Sequence, residues 1–576
     1  TDAALDLDGD GLTNLEEAQT CADAGDTVTC EAISVDSVPP TITFTDVATD
    51  ATGFYTVVLL EATAEDGNDG VVDAYITAID GEAISLASGT DYDFRPGHHE
   101  VTWESQDSQG NTATEVQNVD VRPLVSLAGA KVSAEGQAAS LTVSLNGESP
   151  SYPVTVNYTI SGDVTAGDYN DGNAGVLSIA DPDTEADIVL DIIADGTPEA
   201  DETLTVTLTS VSAGGALAAQ DSGVILITED TLPPEVSLSL DQNGRQAFQV
   251  YQGDGNVTVT ATPVYGSTGL TYDWSGSDVA IIGSGASVQF DPDALAVDSY
   301  TLAVDVFDGA VTVSQELAVS VVAALPVLTT ADSDGDGIDD QTEGLDDADR
   351  DGIPDYLDAV SQVGVQQPAA DENGADQTAL IEVTPGLALR IGGNAVAASR
   401  SGARVTSVDI RDAFDQMLVD PDYTIIGGMF DFEVHGLNAA NRTAQVVLPL
   451  PVTVPADAVF RKADAQGWYT FSESAADALH SAYRVDGMCP AVASADWLPG
   501  LVQSSGCVRL TITDGGPNDA DGTVNGVIRD PGGPAVANEG DDAPAVPVDT
   551  ANESGVAGLW WLLMVLAGVA GRHALR

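Results

Sequence analysis

Apolar and polar residues alternate along most of the chain in short runs, as in Thr-Val-Ser-Leu (142–145), Leu-Thr-Val-Thr-Leu (204–208) and Val-Thr-Val-Thr-Ala (257–261). A period of two puts the apolar side chains on one face, the pattern of half-buried strands. Gly, Asp and Pro separate the runs, and long apolar stretches of 3.6-residue period are few. The pattern therefore predicts antiparallel sandwiches rather than a parallel α/β sheet. Proline cannot donate to a strand ladder, so Pro39-Pro40 and Pro233-Pro234, with Pro123 and Pro326, read as punctuation between modules. The expectation is an all-β chain: a string of β-sandwiches joined by acidic loops, with a hydrophobic helix at the C-terminus.

Length and charge sharpen this picture. A chain of 576 residues exceeds one core, and at about 100 to 150 residues per domain it should hold about four to six modules. The 92 acidic residues against 17 basic ones give a net charge of -75, which repels phosphates and excludes a nucleic-acid partner. Such repulsion must be neutralised in a compact state. A salty medium would suit a chain whose lysines are Lys131 and Lys462 alone, but the acids are clustered, which favours bound cations.

The clusters have a spacing. Asp332, Asp334, Asp336, Ile338, Asp340 and Glu343 occupy positions 1, 3, 5, 7, 9 and 12 of a loop with Gly337 at position 6. Carboxylates at these places, a backbone carbonyl at 7 and a glycine for the tight turn supply the six to eight oxygens that a Ca2+ ion requires. Asp6, Asp8, Asp10, Leu12, Asn14 and Glu17 repeat the pattern, as do Asp347, Asp349, Asp351, Ile353, Asp355 and Asp358, where Asp replaces the final Glu. Pro354 and the adjoining repeat leave no room for flanking helices. The loops resemble thrombospondin type 3 repeats, in residues 1–38 and 324–362, which implies calcium-wrapped rigid spacers rather than sensors.

Other segments carry resemblances of their own. Pro-Pro-Thr-Ile-Thr (39–43), Pro-Gly-His-His-Glu-Val-Thr-Trp (96–103) and Gly-Asn-Thr-Ala-Thr (110–114) make residues 39–122 similar to the HYR type of immunoglobulin-like domain. Ser-Ala-Glu-Gly (133–136), Pro-Val-Thr-Val-Asn-Tyr (153–158), Thr-Ala-Gly-Asp-Tyr (165–169), Ile-Ala-Asp (193–195) and Glu-Ala-Asp-Glu-Thr-Leu-Thr-Val (199–206) make residues 123–231 resemble a Calx-β domain. That resemblance implies a calcium site at one end of the sandwich from Glu135, Asp168, Asp195, Glu199 and Glu202, with Glu229 or Asp230 at the exit. Gly196 stands where the family often carries a second Asp. Leu-Thr-Tyr-Asp-Trp (270–274) and the run from Tyr300 to Gly309 make residues 232–323 similar to a PKD or immunoglobulin-like sandwich.

Residues 363–535 resemble the bacterial choice-of-anchor U domain through Gly-Gly-Met-Phe-Asp-Phe-Glu-Val-His-Gly-Leu (427–437), Val-Phe-Arg-Lys (459–462), Gly-Trp-Tyr (467–469) and the run from Asp514 to Gly533. The resemblance implies a β-rich module without assigned catalysis, upstream of an envelope-sorting signal. Its Asp/Asn-rich loop, with Asp514, Asp519, Asp521 and Asn525, suits a further cation and a hydrogen-bonded turn equally.

Two close cysteine pairs, Cys21 with Cys30 and Cys489 with Cys507, predict disulfides and an oxidising compartment, since the histidines do not complete a zinc site. After a Pro/Gly/Asp-rich linker (536–553), residues 554–576 hold an uncharged run from Gly555 to Gly571 followed by Arg572. That run is near the short limit of a membrane span, and the segment resembles the tripartite sorting signals of Gram-negative bacteria. An exported chain anchored at the outer envelope is expected, with an envelope-sorting protease among its partners. No initiator Met or signal peptide precedes Thr1, so a longer protein is expected. No histidine lies beside a nucleophile motif, which predicts a non-catalytic scaffold or an adhesin for an unidentified surface, glycan or protein. The alternative is the accessory region of a surface hydrolase whose catalytic domain lies upstream.

Overall fold

A computed structural model describes residues 37–538, apart from residues 128, 195–199, 229–233, 247, 266–268, 369–378, 412–415 and 486. The first loop (Asp6 to Glu17), the Cys21 and Cys30 pair, Asp195, Glu199, Glu229, Asp230 and the C-terminal apolar segment lie outside the described residues. Among the described residues, no helix is long and apolar enough to cross a membrane.

The chain is almost entirely β, as the alternation predicts. In Ala138–Leu145, every second side chain from Ala139 onward is buried. That strand belongs to a five-stranded sheet with Leu124–Leu127, Tyr169–Asp171, Glu185–Ile192 and Ala216–Leu217. It faces a second five-stranded sheet built from Ala130–Ala134, Val154–Gly162, Val176–Ile179, Glu202–Val211 and Ser222–Thr228. Leu141, Val143 and Ile188 of the first sheet share one core with Val156, Leu204 and Ile225 of the second.

The module before it centres on Trp103, which is fully buried and donates from its indole to Gln117 at 2.9 Å. The module after it pairs Glu235–Gln242, Val257–Tyr265 and Ser287–Phe290 against a four-stranded sheet containing Ser299–Phe307 and Thr312–Val322. Trp274 fills its core and donates to the carbonyl of Gly285 at 2.9 Å. From Val365 onward, a six-stranded sheet containing Thr443–Pro449 and Cys507–Thr513 packs on a seven-stranded one containing Met429–His435, Val459–Asp464 and Val527–Ala537. Cys489 and Cys507 form the disulfide expected of them, with Cα atoms 5.7 Å apart.

The modules touch one another. Asn146 donates to the carbonyl of Gly53 at 2.7 Å, and Asn438 donates to that of Ala130 at 2.6 Å. Arg529 in Val527–Ala537 forms an ion pair with Glu316 in Thr312–Val322, at 2.7 Å. The segment from Asp332 to Val360 has contacts of its own to these modules, with Arg95 donating to the carbonyl of Ala359 and Arg350 donating to Gln246.

Candidate metal centre

The two acidic loops between Asp332 and Asp358 fold alike. Backbone N–H groups exposed by each turn bind the loop's own carboxylates, which is the local chemistry Asp favours in turns. Gly337 N donates to Asp332 Oδ2 and Gly352 N to Asp347 Oδ2, each at 3.1 Å. Ile338 N donates to Asp336 Oδ1 and Ile353 N to Asp351 Oδ1, each at 2.8 Å. Gly337 and Gly352 have φ values of 97° and 98°, a left-handed conformation that a side chain would strain.

These turns bring carboxylates together. One oxygen from each of Asp332, Asp334 and Asp336 lies within 4.8 Å of the others, and the same holds for Asp347, Asp349 and Asp351. Among the described residues, these are the two groups of three that gather in this way. Asp334 and Asp351 are buried, whereas Asp332 is exposed. Asp334 Oδ2, Glu343 Oε2, Asp349 Oδ2 and Asp358 Oδ2 are all buried with no hydrogen-bond partner.

Position 9 binds back to the start of its loop. Asp340 accepts from Ser333 N at 2.9 Å and from the Ser333 hydroxyl at 3.0 Å, and Asp355 accepts from Ala348 N at 2.8 Å. Both side chains brace the start of their loops. Where an EF-hand would have helices, the chain makes only the single turn Asp340–Glu343 and the 3-10 turn Asp355–Leu357.

Burial sets the electrostatics. Loss of solvent, with the adjoining carboxylates adding to it, lifts the Glu343 carboxyl to about 8. Burial likewise lifts Asp334 to about 6, Asp349 to about 8, and Asp347 and Asp358 to about 7. Burial, with Asp358, Asp349 and Asp347 adding to it, pushes Asp351 well above the usual carboxylate range. The arrangement is an oxygen-only donor set with too little positive charge to neutralise it. Such a set fits a hard divalent cation, with the carbonyls of Ile338 and Ile353 available at position 7.

Several residues that hold the loops carry no signal in the sequence. Gln366 is fully buried and donates from Nε2 to Asp351 Oδ2 at 3.1 Å, and Gln367 donates to the carbonyl of Leu357 at 2.7 Å. Arg95 of the first sandwich donates to the carbonyl of Ala359, and its charge partly opposes the burial that raises the Asp336 carboxyl. Arg350 donates to Gln246 of the third sandwich at 2.8 Å, while Arg390 stacks 4.6 Å from the Phe248 ring. The arginine contacts join distant parts of the chain, and the two glutamines lie outside the repeat, so the loop spacing could not reveal them.

In the second sandwich, three of the expected ligands fall near one end. Glu135 N donates to the carbonyl of Thr228 at 3.3 Å, and Glu202 is in register with Ile227. Gly136 N donates to the carbonyl of Ile192, and Ile193 N donates to that of Asp168. The Asp168 carboxylate itself accepts from Thr165 N.

In the Asp/Asn-rich loop of the last module, the carboxylates accept hydrogen bonds from within the module. Asp514 accepts from Asn525 N and Gly526 N, Asp519 from Gly515 N and Arg529 N, and Asp521 from Thr523 N and the Asn525 amide.

No protein-family model matches the chain, and no curated protein does. Among solved structures, the chain is similar to the apo form of the Calx CBD1 domain, at 22% identity over 18% of this chain and 98% of that one, with a TM-score of 0.16. It is also similar to CBD12 from CALX1.2, at 18% identity over 31% of this chain and 79% of that one, TM-score 0.17. The calcium binding domain CBD12 of CALX1.1 gives 18% identity, 31% and 77% coverage, and a TM-score of 0.16.

Proposed function

We propose that the protein is a non-catalytic scaffold or adhesin of a bacterial envelope, whose modules are fastened together by calcium held in the loops from Asp332 to Asp358. The observation that carries this reading is the set of four buried carboxylate oxygens without partners, on Asp334, Glu343, Asp349 and Asp358. An ionised carboxylate buried without compensation is strongly destabilising, whereas a divalent ion between several of them offsets both desolvation and mutual repulsion.

Calcium suits the donors better than magnesium does. The larger ion accepts six to eight oxygens in flexible geometry, and the smaller one demands a strict octahedron and keeps its waters. Glu135, Asp168 and Glu202 form part of a second proposed calcium site, at the end of the second sandwich. The acidic surface, the disulfide and the modular β architecture suit an extracellular setting, with residues 554–576 as the sorting segment cut or retained by an envelope protease. The ligand is a surface, glycan or protein.

Fractionation of cells making the full chain, and a chain ending at residue 553, tests the anchoring. The full chain is expected in the envelope and the shortened chain in the medium. Equal envelope retention of both would remove the sorting role of the tail.

A further inference from the structure

Away from the acidic loops, one oppositely charged pair among the described residues is sealed from solvent. Of the two lysines in the chain, Lys462 is fully buried. It lies in Val459–Asp464, which pairs antiparallel with Val527–Ala537 so that Lys462 stands opposite Gly532. Residues two apart on a strand share a face, which puts Asp530 diagonally across from the lysine. Lys462 Nζ sits 2.7 Å from Asp530 Oδ2, and neither side chain exposes any surface.

The surroundings close the pair off from water, with the buried carboxylates of Asp519 and Asp477 near enough to act on the ammonium. Gly532 makes the room: a Cβ there would approach Asp530 Oδ1 to 3.0 Å and Phe460 Cε1 to 2.7 Å. The Phe471 ring centre is 5.9 Å from Nζ, and Nζ also donates to the carbonyl of Asn518. Burial pushes the Lys462 ammonium down and the Asp530 carboxyl up, each opposed by the charge of the other. Both shifts move the pair toward a free amine beside a carboxylic acid. A desolvated lysine amine is a nucleophile, and two groups fixed in contact react as if at very high concentration.

We propose that Lys462 and Asp530 condense into an intramolecular side-chain amide. The Nζ lone pair attacks Asp530 Cγ, so the Nζ–Cγ bond forms. The Cγ–OH bond then breaks, a proton from the amine passes to the departing hydroxyl, and one water leaves. Nothing is oxidised or reduced, and no co-reactant is consumed. The bond ties Val459–Asp464 to Val527–Ala537, which lies between it and Met429–His435 in the sheet. Val527–Ala537 is the strand that precedes the C-terminal segment. Under the anchoring proposed above, tension on that segment reaches this strand first; this use of the bond rests on that reading, while the bond itself does not.

The test is the mass of the purified full-length chain, reduced and denatured, followed by peptide mapping after proteolysis. The expected result is a mass lower than that of the sequence by one water, with a branched fragment joining the segment around Lys462 to the segment around Asp530. The Lys462→Met chain is expected to keep its full mass and give two linear fragments. Full mass in the unaltered chain, with the two segments separating, would overturn the proposal in favour of a permanent ion pair. So would a water loss mapped to a cyclised Asp-Gly elsewhere. Because the readout is the unaltered protein, misfolding of the variant leaves the decision intact, and release of the shortened chain into medium bears on the anchoring alone.

Discussion

Arg95 donates from Nη2 to the carbonyl of Ala359 at 2.6 Å, joining the first sandwich to the end of the second acidic loop across 264 residues of sequence. Its guanidinium also packs 5.3 Å and 5.8 Å from the ring centres of Phe54 and Tyr55, which lie in one apolar cluster with Ala359 and Val360. Replacing Arg95 with Ala removes a charged hydrogen bond worth about 1.5 to 3 kcal/mol. Faster hydrogen exchange at the Val360 amide is the expected readout, with the other sandwiches unaffected; unchanged exchange would mean that the contact holds nothing.

The two loops differ in how they dock. Ile353 is buried in a cluster with Ile391, Val396, Val405 and Met429, whereas Ile338, at the same loop position, is exposed. Ile353→Ala is expected to destabilise the chain by about 2 to 5 kcal/mol and Ile338→Ala by at most about 0.5 kcal/mol. Denaturant unfolding of the two variants checks the ratio. Equal costs would contradict the docking.

Acidity should work in opposite senses with and without metal. Carboxyls lifted by burial, such as Glu343 and Asp349 to about 8, bind more protons in the folded chain than in the unfolded one. In chelator, their contribution to stability is therefore greatest at low pH and is lost as pH rises through about 4 to 8. Calcium needs the ionised forms, so binding releases protons and tightens over the same window. Calorimetric titrations in buffers of different ionisation enthalpy should show that release near neutral pH, and binding without proton release would contradict it.

Reduction tests the covalent part of the last module. The Cys489–Cys507 bond closes a loop with a sequence separation of 18. A loop of that size restricts the unfolded chain by about 3 kcal/mol. Denaturation midpoints measured with and without reductant should differ accordingly.

The fold was legible because its signals are local. Alternation in Ala138–Leu145 names its own buried face, and the Asp-x-Asp-x-Asp-Gly spacing names its own turn. Position 9 shows the limit of such reading: the string offers Asp340 and Asp355 as ligands but does not show the bonds each also makes to the N–H groups of Ser333 and Ala348. The N–H at loop position 2 is free to meet them only because of how each loop closes, which no spacing encodes. Arg95, Gln366 and Arg390 were invisible for a related reason, since their roles come from how the modules pack. The Lys462–Asp530 pair was hidden inside strands that read as ordinary sheet.

The decisive experiment for calcium in the loops is thermal unfolding of the full chain in chelator, then in millimolar calcium, with magnesium and sodium as controls for charge screening. A ligand that binds only the folded state at a hundredfold excess over its Kd adds about 2.7 kcal/mol per site. A rise of that order or more is expected with calcium alone, abolished in large part by Asp334→Asn combined with Asp351→Asn. Equal rises with calcium, magnesium and sodium, unaffected by the substitutions, would contradict it.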